Sequence, residues 1–444
     1  MLIEFSVSNF RSFSQPVILS LLATPLKEKD SRLNTDNLFE VNRLKLLRSA
    51  AIYGANASGK SNLVKAIGFM RRFVLDSATE FQSGEKIPVD RFRLSREARQ
   101  KPAFFQIIFS LNGKRYRYGF ELDEEQVHGE WLYQTVQRES LLFIREKDQY
   151  EVSTSFRREA PVKLQEMTRT NALFLSVMAQ FNSPRAVELL NWFRKSLRVV
   201  SGLKDEFYAP YTMEQMEKDE TFRRFAREMV RMADTGITDL SVKSEVLDSA
   251  SFPAELRKLI QEIAEKEGKT PDELSIQTVE TRHPVYEGET FVGSENFDID
   301  EESDGSQKFF FLLGPLFYTL KKGNVLVIDE LDARLHPSLT REIVRMFNSP
   351  ETNPYNAQLI FATHDAGLLG ECLLRRDQVW FTQKNRFGAS ELYSLAEMKE
   401  RKDASYLKNY LAGRYGGIPL LGGLRPFVEE MLKHDTNTEA ERSQ

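Results

Sequence analysis

Along this chain the spacing of apolar residues changes twice, and the changes divide it. Up to about residue 160 the period is two. Phe104-Phe-Gln-Ile-Ile-Phe-Ser-Leu111, Arg115-Tyr-Arg-Tyr-Gly-Phe-Glu-Leu122 and Glu130-Trp-Leu-Tyr-Gln-Thr-Val136 predict an antiparallel sheet, with Asn112-Gly113 turning the first pair into a hairpin. Over residues 161–274 the period becomes helical, as in Ser183-Pro-Arg-Ala-Val-Glu-Leu-Leu-Asn-Trp-Phe-Arg194. No heptads are sustained there, so the expectation is a helical insertion without a coiled-coil arm. Strands return after Ser275, and residues 275–434 complete the main domain. The polar residues 435–444 are expected to form a disordered tail. Two runs do not alternate at all: Val325-Leu-Val-Ile328 and Leu359-Ile-Phe-Ala362 are continuously apolar, the form of parallel strands buried on both faces. Phe309 to Leu320 reads as a buried helix. The fold class expected is α/β, a parallel sheet core with an antiparallel β-subdomain and a helical insertion.

Composition narrows the classes of partner. The 444 residues carry 61 Lys plus Arg against 65 Asp plus Glu, so no global basic excess announces nucleic acid, although a local basic groove remains open. An acid at Glu4 and the lack of a long apolar segment argue against a signal peptide and a membrane span. The single cysteine, Cys372, fits a reducing cytoplasm and is expected to be a small buried hydrophobe.

The most constrained chemistry lies at Gly54-Ala-Asn-Ala-Ser-Gly-Lys-Ser61, a complete G-x-x-x-x-G-K-[ST] loop. It sits between the β-compatible Arg48-Ser-Ala-Ala-Ile-Tyr53 and a helical run from Asn62 with Leu63, Ala66, Ile67 and Met70 on one face. Gly54 and Gly59 allow the backbone to curl so that amides of Ala55, Asn56, Ala57, Ser58 and their neighbours point at a phosphate. Lys60 then reaches the β- and γ-phosphates, and Ser61 offers a hydroxyl to Mg²⁺. Asn324-Val-Leu-Val-Ile-Asp-Glu330 delivers two acids at a strand end, Asp329 for the metal shell and Glu330 to activate water. His364 ends the next apolar run, where it can sense a γ-phosphate or simply be a satisfied core residue. His336 reads as a structural turn residue. A second anion site is written at Ser303-Asp-Gly-Ser-Gln-Lys308, small and hydrogen-bonding residues opening the apolar helix. Two anion sites in one chain make sense if two copies meet head to tail, each helix start capping the phosphate held by the other copy's loop.

With these residues in order, the chain resembles the ABC-type ATPase heads of the RecF, SMC and OLD-like group. Its opening Ile3-Glu-Phe-Ser-Val-Ser-Asn-Phe-Arg-Ser-Phe13 is similar to their first strand and turn. Glu330-Leu-Asp-Ala-Arg-Leu-His-Pro337 and Tyr410-Leu-Ala-Gly-Arg-Tyr-Gly-Gly-Ile-Pro419 resemble, more narrowly, the ABC-like ATPases of bacterial abortive-infection and phage-defence operons. The resemblance covers residues 1–140 and 280–420. It implies ATP and Mg²⁺ as ligands, Lys60, Glu330 and His364 as catalytic groups, and Arg11 and Asn62 near the nucleotide. It further implies that Ser303 and Gly305 face the partner's γ-phosphate, Asp332 lies in a dimer-facing loop, and Gln106 is a candidate metal-sensing glutamine. Asp304 departs from the usual Leu-Ser-Gly-Gly-Gln signature. The resemblance implies a cytoplasmic homodimer or larger homo-oligomer holding a separate nuclease or toxin effector. Fewer than the residues needed for a Toprim nuclease domain follow His364. The competing readings are a RecF-like ATPase acting on DNA in recombination or repair, and the energising subunit of a transporter.

Overall fold

The computed structural model describes residues 1–159, 163–202, 208–233, 236–246, 257–258, 261–262, 264, 270 and 275–419. The tail expected at 435–444 lies outside the described residues. Six strands form the central sheet, in the order Leu197–Ser201, Val325–Asp329, Gln358–Ala362, Ser49–Gly54, Val379–Lys384, Ser390–Ser394. The first five run parallel and the last is antiparallel. The continuously apolar runs occupy its middle, where every residue from Ser49 to Gly54 and from Gln358 to Ala362 is buried.

Side chains alternate across this sheet, and the alternation divides the interior in two. On one face Ala50, Ile52, Val325, Val327, Ile360 and Ala362 pack with Leu63, Ile67, Met70 and Val74 of helix Lys60–Asp76. The same core continues into the seven-stranded antiparallel sheet through Phe5, Phe105, Phe109 and Tyr116. On the other face Ala51, Tyr53, Leu326, Ile328 and Phe361 pack with Phe309, Leu312, Leu313 and Leu316 of helix Asp304–Lys322. The glycine-rich loop at 54–61 is therefore built on one layer and the apolar helix on the opposite one.

The antiparallel sheet pairs Ala103–Leu111 with Lys114–Leu122 around Asn112 and Gly113, both at positive φ (48° and 75°), as the Asn-Gly signal required. It is fastened to the helical layer by Glu130. Buried completely, this carboxylate accepts the Tyr118 hydroxyl (2.9 Å) and the amides of Phe174 (2.6 Å) and Leu175 (3.0 Å) that open helix Phe174–Gln180.

Residues 161–274 are not simply helical. Their described part holds helices Phe174–Gln180, Pro184–Asn191, Ala209–Lys218 and Glu220–Met232, but Leu197–Ser201 joins the central sheet parallel to Val325–Asp329. Asp239–Val246 pairs with Ser275–Glu287, which in turn pairs with Thr290–Asp298. The five-residue Leu-Arg-Val-Val-Ser run is too short to interrupt the helical period of its neighbours, yet its β-branched residues pair readily beside a strand already in place. Cys372, expected to be buried, is exposed with φ 51°; it lies on a turn, where apolar neighbours in sequence do not imply cover.

Candidate functional site

The parallel strands end together. In register, Ser201 stands beside Asp329 and Gly54 beside Thr382, so the loops carrying chemistry open on one edge of the sheet, where doubly wound sheets bind ligands. The loop after Gly54 turns through Ala57 (φ 61°) and Gly59 (φ 125°) into helix Lys60–Asp76. Lys60 Nζ donates to the carbonyls of Gly54 (2.7 Å) and Ala55 (3.3 Å), lying within the loop it would hand to a phosphate.

Serines prop the loop from beneath. Ser390 Oγ donates to the carbonyl of Ser58 (2.5 Å) and lies 2.8 Å from Ser12 Oγ, from which it can accept; Ser12 Oγ itself accepts from Asn62 Nδ2 (2.8 Å). Ser58 Oγ and Thr382 Oγ1 are 2.6 Å apart. A Cβ at Gly59 would stand 2.5 Å from Ser390 Oγ, so glycine is required there by space as well as by backbone angle. Ser12, Thr382 and Ser390 escaped sequence reasoning because lone serines and threonines carry no spacing signal.

Around Lys60 the acids converge. Burial lowers its pKa, against the pull of Asp329, Glu330 and Asp332. Burial raises the pKa of Asp329, against the opposing pull of the Ser61 hydroxyl beside it. Its Oδ1 is buried without a hydrogen-bond partner, an arrangement that costs free energy unless a cation or donor satisfies it. Ser61 and Asp329 therefore fit a divalent cation shared with phosphate oxygens. Among the described residues no group of three or more His, Cys, Asp and Glu side chains forms a cage that could hold an ion by itself.

Glu330 follows at φ 54°, a conformation uncommon for a residue with a side chain and held by flanking bonds: Gly202 N to Asp329 O (2.6 Å) and Leu331 N to Ala362 O (3.1 Å). Asp332 accepts from the backbone N–H of His364 through both oxygens (3.2 and 3.1 Å), tying the turn after the acidic strand to the strand-end histidine. Desolvation first, then Lys60, lowers the His364 pKa below its ordinary value, so its imidazole is neutral at pH 7. His336 caps helix Pro337–Asn348, Nδ1 accepting from Ser338 N (3.3 Å), a structural role as expected.

Two cavities flank the loop. One, of about 790 Å³, is lined by Ser61, Lys65, Ser201, Asp329, Glu330 and Arg11, whose guanidinium pairs with Asp90 at 2.8 Å. The other, of about 910 Å³, lies between residues 54–58, His364 and the late run Tyr410–Pro419. Gly417 comes so close that a Cβ there would sit 3.4 Å from Gly54 Cα, and Tyr410 packs on Tyr53 with ring centroids 5.6 Å apart. That run is a wall of the site, a role not assigned to it from sequence.

Ser303 and Gly305 line neither cavity. Ser303 Oγ caps helix Asp304–Lys322 by accepting from Ser306 N (3.2 Å), and it is exposed. Gly305 lies against the turn after Glu330, where a Cβ would be 2.7 Å from the Arg334 carbonyl. Asp304 points to solvent with an ion pair to Arg334 at 3.7 Å, which explains why an acid is tolerated in place of a glycine. Beneath them Lys308 is buried, its Nζ donating to the carbonyls of Leu331 (3.1 Å), Glu330 (3.4 Å) and Ala333. Gln106 does not join the site. It lies in the antiparallel sheet, its Oε1 accepting from Trp131 Nε1 (3.1 Å), and lines neither cavity; period-two strands hide how far a given residue stands from the loop.

Residues 49–370 match the family described as "AAA domain, putative AbiEii toxin, Type IV TA system". Comparison with curated proteins gives no match. Among solved structures the chain is similar to an SMC head bound to the C-terminal winged-helix domain of ScpA (15% identity over 90% of this chain and 99% of that one, TM-score 0.39). It is similar also to an SMC head domain with an extended coiled coil bound to the C-terminal domain of ScpA, derived from Pyrococcus furiosus (12%, 90% and 99%, TM-score 0.38). A third is the recombination mediator RecF with ATP (14%, 88% and 99%, TM-score 0.35).

Proposed function

The chain belongs to the AbiEii-type AAA family, and from that premise we propose that it is a Mg²⁺-dependent ATP hydrolase whose site is completed by a second copy of itself. The observation that carries this reading is the separation of the glycine-rich loop from the serine-capped helix start, two elements of the kind that bind anions. Lys60, Ser61, Asp329, Glu330 and His364 gather on one edge of the sheet, whereas Ser303 opens an exposed helix start outside both cavities.

In this reading the loop amides and Lys60 hold the β- and γ-phosphates, and Ser61 and Asp329 hold Mg²⁺, which supplies charge neutralisation on the phosphate oxygens. Glu330 orients and deprotonates the attacking water, and neutral His364 donates to the γ-phosphate. Ser303 and Gly305 of the second copy face that phosphate. Lys308 ties Ser303's helix to the turn bearing Asp332, and Asp332 holds the backbone of His364, so closure of the pair and the state of the phosphate are mechanically linked.

The dimer or larger assembly would control a separate effector, a nuclease or toxin, in phage defence of the abortive-infection kind. The test is to purify the chain with the products of neighbouring genes and measure association with ATP, ADP and no nucleotide. ATP-dependent complex formation is the expected result. Association with none of them, together with salt-sensitive stimulation of hydrolysis by duplex DNA, would favour a RecF-like role instead.

A further inference from the structure

Strands Ser275–Glu287 and Thr290–Asp298 form a ribbon turning at Gly288, and its outer half stands clear of the body. From Val285 to Phe297 every residue is exposed except Gly293, so both faces of the ribbon meet solvent. The outer part is nevertheless apolar. Phe291 is 61% exposed, Tyr286 57% and Val292 54%, with Val285 and Phe297 behind them.

Tyr286 and Phe291 are cross-strand partners with rings edge to face at 6.0 Å, and Val292 is the extra residue of a bulge that increases the local twist. A two-stranded ribbon gains little from burying such groups on itself, and exposed aromatic clusters of this kind mark contact surfaces. The base of the ribbon is fixed. Thr281 Oγ1 (2.5 Å) and His283 Nε2 (2.6 Å) both bond Glu302 Oε1, so the tip is presented on a rigid stem.

Charge selects the occupant. Between Pro284 and Asn296 the ribbon carries Glu287, Glu289 and Glu295 and no lysine or arginine. Three acids around an aromatic tip repel nucleic acid and anionic lipid, and a twofold contact of two tips would oppose acid to acid. We propose that the tip of this ribbon, with Tyr286 and Phe291 as anchors, is a docking arm for a separate protein that presents an apolar groove with a basic rim. The contact is measured without nucleotide, apart from the ATP-dependent association expected of the effector, so its failure and failure of the composite ATP site are separately visible.

The test places a benzophenone side chain at position 292 of the full-length protein, irradiates it in its host cells, and purifies whichever protein becomes attached. That protein is then titrated against the unmodified chain without nucleotide. The expected result is a contact face that is apolar and basic, with affinity falling at least about tenfold in Tyr286→Ser with Phe291→Ser, and likewise in Glu287→Lys with Glu289→Lys, and weakening with salt. Both double variants should keep the wild-type ATPase rate, which shows that they fold. Adducts joining two copies of this chain, tip-dependent binding to phosphatidylserine vesicles, no adduct at all, or affinity indifferent to the substitutions would each overturn the proposal.

Discussion

Lys60 and Asp329 are charged groups drawn out of water beside one another, and each is shifted by burial away from its charged form. A phosphate and a divalent cation would reverse both shifts, which gives each residue a separable prediction. Lys60→Ala should lower turnover by about 10²–10³-fold, the usual effect of removing one charge-stabilising donor, and should weaken ATP binding in a calorimetric titration. Glu330→Gln should keep ATP binding and lose about 10²–10⁴-fold in hydrolysis; hydrolysis at the wild-type rate would remove Glu330 from the role of base. His364, held neutral by desolvation and by Lys60, gains a proton only below its ordinary range near 6.5. The rate should therefore fall as pH drops through that lowered pKa, and His364→Asn should erase the inflection from the pH profile. At this scale the convergence of the glycine-rich loop, the acidic pair and the strand-end histidine was legible because parallel strands deliver all three to one edge of the sheet. The propping serines were not, because Ser12 and Ser390 meet across hundreds of residues; nor were Gln106, whose distance from the loop a strand period hides, and Cys372, whose turn leaves it uncovered.

Among the elements, helix Asp304–Lys322 and the turn after Asp329 behave as one piece, joined by Lys308 and by the fit of Gly305 against Arg334. Lys308→Met would take a donor from the carbonyls of Leu331 and Ala333, while that of Glu330 keeps the Ala333 amide, a loss of about 1–3 kcal/mol in stability by denaturant unfolding. It should also depress turnover more than ATP binding, since Glu330 and Asp332 sit on the loosened turn. Equal losses in both would indicate general unfolding rather than a broken link. The apolar helix and its serine cap could be read from a small polar run leading into continuous hydrophobics. The strand Leu197–Ser201 could not, because five residues do not overturn a helical period around them, and only the presence of Val325–Asp329 beside it makes it a strand.

On the scale of the whole molecule, the architecture places the glycine-rich loop on a cavity-bearing edge and the Ser303 helix start outside it, exposed, with an aromatic ribbon rising just ahead of the latter. The antiparallel subdomain followed from the apolar period, and the α/β class from that period together with the strand, loop and helix around Gly54–Ser61 and the resemblance to ABC-type heads. The division into segments did not survive intact, since residues 161–274 contribute to the central sheet as well as to a helical layer. The central claim is that Ser303 of one copy faces the phosphate loop of another. It is tested most directly by cross-linking in a Glu330→Gln, Cys372→Ser background, which keeps ATP bound and removes the exposed native thiol. Ala55→Cys in one tagged chain and Ser303→Cys in a second, differently tagged chain should be joined by a short bis-maleimide when ATP is present and not with ADP. A cross-link formed only within single chains carrying both cysteines, or none between chains with ATP demonstrably bound, would contradict the account.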